Sequence, residues 1–183
     1  SKGNVINPLD LTAKYGTDAF RMGLIVGNTP GTSLALSEDK IKAYKHFANK
    51  LWNIARFILS NADGGALGHK PDLLPEHNQI LKKLAQTVQE ITADLEKYRL
   101  YLAAEKLYHY IWHAFADVII EESKPILQGN DERAKQSARW MLYEVLATTL
   151  KLLHPFVPFV TEEIYQNLPR KDKELLMVEQ WPA

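Results

Sequence analysis

The chain contains no cysteine among its 183 residues, so disulfide staples, thiolate nucleophiles and thiolate-ligated metals are excluded together. A reducing, cytoplasmic setting is the expectation that follows. No apolar run approaches the roughly 20 residues that a membrane-spanning helix needs. The opening Ser1-Lys2-Gly3-Asn4-Val5 lacks the basic-then-apolar layout of a secretory leader. It also lacks Met and reads as the middle of a loop, as expected of a piece of a longer polypeptide. There is no excess of charge of either sign: 22 Lys and Arg face 22 Asp and Glu, which argues against indiscriminate binding to nucleic acid. Catalytic signatures are missing too. The sequence has no phosphate-binding glycine loop, no G-x-S-x-G, no H-E-x-x-H and no G-x-G-x-x-G, and no repeat or low-complexity tract.

What is present is a hydrophobic share of 46 %, enough for one sizeable core. The charge is unevenly spread. Residues 1–62 hold eight Lys and Arg against four Asp and Glu, so an anionic partner is best sought in the first third. Pro8, capped by Asn7, starts a short helix that Gly16 stops, and Thr17 caps a second running to about Val26. Asp18 is then well placed in that helix's first turn, near the positive end of its dipole. Gly27 to Ser33 reads as a loop. Ser37 caps a longer helix to about Asn61, with Ile41, Tyr44, Phe47, Leu51, Ile54 and Ile58 at helical spacing. Asp63-Gly64-Gly65 through Pro75 reads as a linker. Helical patterns follow at Glu76 to Tyr98, Leu100 to Glu122, Asp131 to His154 and Thr161 to Leu168. Pro125 and Gly129 are expected to end the third long run. Leu175–Val178 has the character of one short strand. The expected fold is all-α in the main, an antiparallel helical bundle.

Two constellations could carry chemistry. Glu105, His109, His113 and Asp117 recur every four residues, as metal ligands on a helix can. At 3.6 residues per turn, however, the row drifts by roughly 40° per step, so all four cannot meet one ion. Pairing along a half-exposed helix face explains it equally. The second constellation is the polar side of the helix from Ser37, which alternates cations and amides: Lys42, Lys45, Asn49, Lys50, Asn53, Arg56. Cations neutralise phosphate, and asparagine can both donate to and accept from a base edge. Phe57, at the border of the apolar stripe, could support an unstacked base, or could simply belong to the core. Trp52 reads as a packing residue. The alternative for this face is a solvated surface, or a protein-interaction bundle with no RNA role.

A resemblance weighs on that choice. Ser1-Lys2-Gly3-Asn4-Val5-Ile6-Asn7-Pro8 looks like the end of the K-M-S-K-S loop of class I aminoacyl-tRNA synthetases, with Ser1 as the motif's final serine. Leu9 to Arg21 resembles the helix pair that follows it in the Val/Ile/Leu/Met subgroup. Phe47-Ala48-Asn49-Lys50-Leu51-Trp52-Asn53-Ile54-Ala55-Arg56-Phe57 is similar to the valyl form more than to the isoleucyl or leucyl forms. Tyr110 to Asp117, His154 to Glu163 and Trp181-Pro182 match later parts of the same family in order. The resemblance implies a stem-contact segment at 1–36, after the end of the signature loop, and an anticodon-binding bundle at 37–183. It implies tRNA(Val) and its anticodon stem-loop as partner, contacted by Asn49, Lys50, Asn53, Arg56, Phe57 and Lys42, with Lys40 a weaker candidate. It further implies catalytic and editing domains elsewhere in the same polypeptide, where ATP and Mg²⁺ would act. With those absent, this chain alone is expected to be inactive. Glu38 and Asp39 depart from the family pattern, putting acids where relatives can carry a cation.

Overall fold

The computed structural model describes residues 7–28, 31, 36–62 and 67–182. Ser1, most of the loop before Ser37 and the Gly64-Gly65 pair therefore lie outside the described residues. Three helix starts follow local capping chemistry, whereas Thr17, expected as a cap, is the first residue of the second helix, whose N-cap is Gly16. Asn7 accepts the Leu9 N–H at 3.1 Å ahead of α1 (Pro8–Tyr15). Ser37 accepts the Lys40 N–H at 3.2 Å ahead of α3 (Glu38–Asn61), and Asp131 accepts the Ala134 N–H at 3.1 Å ahead of α7 (Glu132–Leu153). Between α1 and α2 (Thr17–Ile25) the chain turns at Gly16, whose φ of 92° and ψ of 150° suit only a residue without a side chain.

The bundle has four rods: α3, α4 (Pro75–Glu96), a composite rod and α7. The composite rod runs through α5 (Leu100–His109), a π-helical stretch (Tyr110–Ile120) and α6 (Glu121–Gln128). Tyr108 packs on Tyr44 and Phe47, and Lys50 reaches Asp117, so α3 and the composite rod run in the same direction. The starts of α4 and α7 lie together, joined by a 2.6 Å bond between His77 Nδ1 and Ser137 Oγ. Phe47, Leu107, Ile111, Phe115, Met141 and Leu146 are fully buried between the rods. Each such side chain contributes about 1.5–3 kcal/mol by leaving water.

Two boundaries differ from expectation, each for a local reason, and a third falls where the pattern put it. The helix does not end before Pro125, which sits inside α6. Ser123 Oγ donates to the Ile119 carbonyl at 2.7 Å in the preceding turn, and Gly129 closes the rod. Leu175–Val178 is not a strand. Among the described residues there is no strand for it to pair with, and Leu176–Val178 forms a 3₁₀ turn whose Leu176 N–H donates to the Glu162 carboxylate at 3.1 Å. The break between α4 and α5 falls at Tyr98, with φ of 55°. There the Arg99 N–H donates to the Asp94 carbonyl at 2.8 Å and the Tyr98 N–H to the Leu95 carbonyl at 2.9 Å, the pair of bonds that closes a helix when the next residue is left-handed.

The last short helix, α8 (Pro158–Gln166), has no side-chain cap of its own. Asp18 supplies one from α2, accepting the Val160 N–H at 2.7 Å and the Phe159 N–H at 3.3 Å. Arg21, one turn along, donates to the Pro155 and Phe156 carbonyls at 2.8 and 3.1 Å. One face of α2 thus holds both sides of the turn between α7 and α8. Asp18, expected as a partner of its own helix dipole, is instead almost fully buried against another helix.

Candidate nucleic-acid interface

Successive residues of an α-helix point about 100° apart, so the polar residues of α3 cannot all share one direction. Ile41, Tyr44, Phe47, Leu51, Ile54 and Ile58 are buried as the apolar stripe. Lys42, Asn49, Asn53 and Arg56 are exposed, as the sequence pattern predicts, while Lys50 and Phe57 are half-buried. Phe57 packs against the edge of the core. The set expected as one cluster therefore divides over a ridge and two flanks.

On one flank, Lys50 and Phe57 lie seven residues apart, on the same side of the helix. Lys50 Nζ is 3.3 Å from Asp117 Oδ1 and 5.3 Å from the Trp112 ring centre, both on the π-helical stretch. His113 approaches the other Asp117 oxygen at 3.7 Å, and the His109 ring stacks on His113 at 5.6 Å. From His109 to Asp117 the recurring row is thus a surface chain of pairs. Among the described residues, no three His, Cys, Asp or Glu side chains are grouped to hold a metal ion.

The opposite flank faces α8. Trp52, Arg56 and Ser60 of α3, with Ile164 of α8 and Asn167 at its C-cap, line a depression of about 300 Å³ floored by Ala55 and Leu59. A second depression of about 400 Å³ adjoins Lys45, Asn49, Phe159 and the Gly16 turn. Trp52, expected to pack, is 41 % exposed, and Phe159, which the sequence did not single out, is 64 % exposed. Trp52 had a legible signal, since it lies 100° off the centre of the stripe at Leu51. Phe159 had none, because only the placement of α8 decides which way its ring faces.

Electrostatics separate free cations from committed ones. Lys40 spends its ammonium on the Val26 carbonyl at 2.6 Å, closing the end of α2, and burial pulls its pKa down. It is half-buried and no longer a natural phosphate ligand. Glu38 accepts Lys14 Nζ at 2.6 Å and the Tyr15 hydroxyl at 2.8 Å, and these bonds hold its carboxyl below the usual range. Glu38, at the start of α3, thus anchors α1. Arg56 and Lys42 have no ion pair among the described residues. Burial pushes the Asp18 carboxyl up, against the downward pull of the two α8 N–H groups.

None of the described helices is long and apolar enough to cross a membrane. Residues 77–183 match the model of the family described as the anticodon-binding domain of tRNA ligase. The whole chain is 39 % identical to a valine–tRNA ligase of Clostridium tetani and 44 % identical to one of Pelagibacter ubique, spanning 21 % of the length of each. A leucyl-tRNA synthetase of Agrobacterium radiobacter K84, solved as a ternary complex with tRNA and LeuAMS, superposes over the entire chain. The TM-score is 0.75 at 19 % identity, over 22 % of that protein. The apo methionyl-tRNA synthetase of Mycobacterium tuberculosis covers 88 % of the chain and 34 % of its own, with a TM-score of 0.73 at 18 % identity. An all-α bundle of this architecture, matched by the family model over more than half its length and alignable throughout with valine–tRNA ligases, belongs to the anticodon-binding domain family of tRNA ligases.

Proposed function

We propose that the chain is the tRNA-positioning module of a valine–tRNA ligase and that α3 grips the anticodon stem-loop of tRNA(Val). The carrying observation is the outward ridge of α3, where Lys42, Asn49, Asn53 and Arg56 stand exposed on a chain that aligns throughout with valine–tRNA ligases. Cations fix phosphate and carboxamides read base edges, the combination that single-stranded loop recognition requires. Phe57 is half-buried at the flank, so a splayed base reaches only part of its ring. Lys50 is held by Asp117 and Trp112, which leaves its charge oriented at the surface. The segment 1–36 lies along the stem and the bundle from 37 onward takes the loop. Adenylate chemistry, with its ATP and Mg²⁺, and editing belong to the remaining length of such a ligase, since the chain spans about a fifth of its relatives. Ser1 closes the signature loop in this reading. The polypeptide works in the cytoplasm, where charged tRNA is consumed.

Fluorescence anisotropy with a labelled tRNA(Val) anticodon stem-loop tests this. Binding should weaken steeply with added salt as counterion release loses its advantage. Phe57→Ala should narrow the preference for the cognate anticodon, whereas Lys50→Ala should weaken all stem-loops alike and leave Asp117 unneutralised. Equal affinity for cognate and anticodon-swapped stem-loops would remove the reading role.

A further inference from the structure

The flank of α3 that faces α8 carries groups beyond those assigned above. Two large rings, Trp52 at 41 % and Phe159 at 64 % exposure, each line one of two depressions to which both α3 and α8 contribute. Exposed aromatic surface rimmed by polar groups marks a binding face. The polar rim comprises Lys45, Asn49, Arg56 and Ser60 from α3 and Asn167 just past α8, while Asp18, which also lines the second depression, has its carboxylate committed to the α8 N–H groups. Arg56 has no ion pair among the described residues, and Lys45 reaches only the Lys14 carbonyl, at 3.3 Å. One exposed acid, Glu163, stands a turn before Asn167. An amphipathic peptide helix would want a continuous apolar trough. Isolated flat rings separated by cations and amides suit successive bases with their phosphates. The walls are also fixed relative to each other. Asp18 and Arg21 tie α8 and its preceding turn to α2, which packs on α3, so the rings are preorganised.

We infer that the furrow between α3 and α8 is a second ribonucleotide track, in which Trp52 and Phe159 stack bases while Arg56 and Lys45 meet the phosphates. It rests on the RNA reading of α3 and adds a flank opposite Lys50 and Phe57, so that the RNA straddles the helix.

The test uses the whole chain with a labelled tRNA(Val) anticodon stem-loop and with full-length tRNA(Val), folding being checked by circular dichroism. Trp52→Ala and Phe159→Ala should each weaken binding of at least one of these RNAs about tenfold, equivalent to about 1.4 kcal/mol. Trp52→Phe, which keeps a ring, should stay within about threefold of the parent. Hydroxyl-radical footprinting of the parent chain should find Trp52 and Phe159 protected by RNA, a readout independent of any variant's folding. Parent-like affinity in both alanine variants, or unprotected rings, with Phe57→Ala still impaired, overturns the track and leaves the RNA reading intact. If the parent chain binds neither RNA, both readings fall.

Discussion

Replacing Asp18 by alanine removes the cap of a helix that lies 142 residues away along the chain, and the structure sets the size of the effect. Pro158 opens α8 and has no N–H to satisfy, so the next two donors, on Phe159 and Val160, are the ones that need an acceptor. Asp18 takes both, at 3.3 and 2.7 Å, from a site only 7 % exposed. Losing an N-cap costs about 1 kcal/mol, and a hydrogen bond to a charged acceptor contributes about 1.5–3 kcal/mol. Part of this is offset, because alanine no longer has to keep a carboxylate out of water. A net loss of about 2 kcal/mol follows, which for a chain of this size lowers Tm by roughly 4–8 °C. Thermal and urea unfolding followed at 222 nm measures it. The pH dependence supplies a second arm. Burial holds the folded pKa of Asp18 above its unfolded value, so the folded state binds the proton more tightly. The advantage of the parent chain over Asp18→Ala is therefore largest in acid and shrinks as pH rises through the raised value, the reverse of an ion-paired carboxylate. A stability change below about 0.5 kcal/mol, or an advantage that grows with pH, would refute this account of how α8 is held.

Two further outcomes follow from the same structure. Tyr98 occupies the left-handed position that closes α4 while its side chain is 89 % exposed, so Tyr98→Gly relieves backbone strain with no packing to lose. It should stabilise the chain by about 1 kcal/mol in urea titration, and a destabilised variant would mean the ring has a partner. Burial pulls the pKa of His77 down, and likewise that of His154, so each unfolded histidine binds protons more readily than the folded one. Stability should fall as pH drops from about 6.5, the unfolded value, toward the depressed folded values. His77→Asn, which can still meet Ser137, should flatten that slope; an unchanged slope would exonerate His77.

Much of the bundle was legible because helix formation is written locally. The apolar stripe from Ile41 to Ile58, the caps at Asn7 and Ser37, and the stop at Gly16 all act within a few residues, and each falls where the pattern put it. The misread places have causes at a distance or in winding. Pro125 reads as a terminator because a ring inside a helix removes a donor, yet here it follows a π-helical stretch and the rod continues. Leu175–Val178 had strand composition and no strand to meet. At the candidate site, residue types were readable and directions only partly so. Adjacency made Arg56 and Phe57 look like one cluster, whereas a helix turns them about 100° apart. Lys40 read as a free cation until the end of α2 came within its reach.

Periodicity and capping were enough to indicate a helical bundle, since each depends only on neighbours a turn or two away, while the family was legible only in the resemblance of successive motifs to known sequences. The packing of α8 beside α3 depended on Asp18 and Arg21 reaching across from α2, a long-range contact that no local pattern encodes. That contact decides which rings face the furrow and which cations remain free, because exposure is a property of the assembled surface.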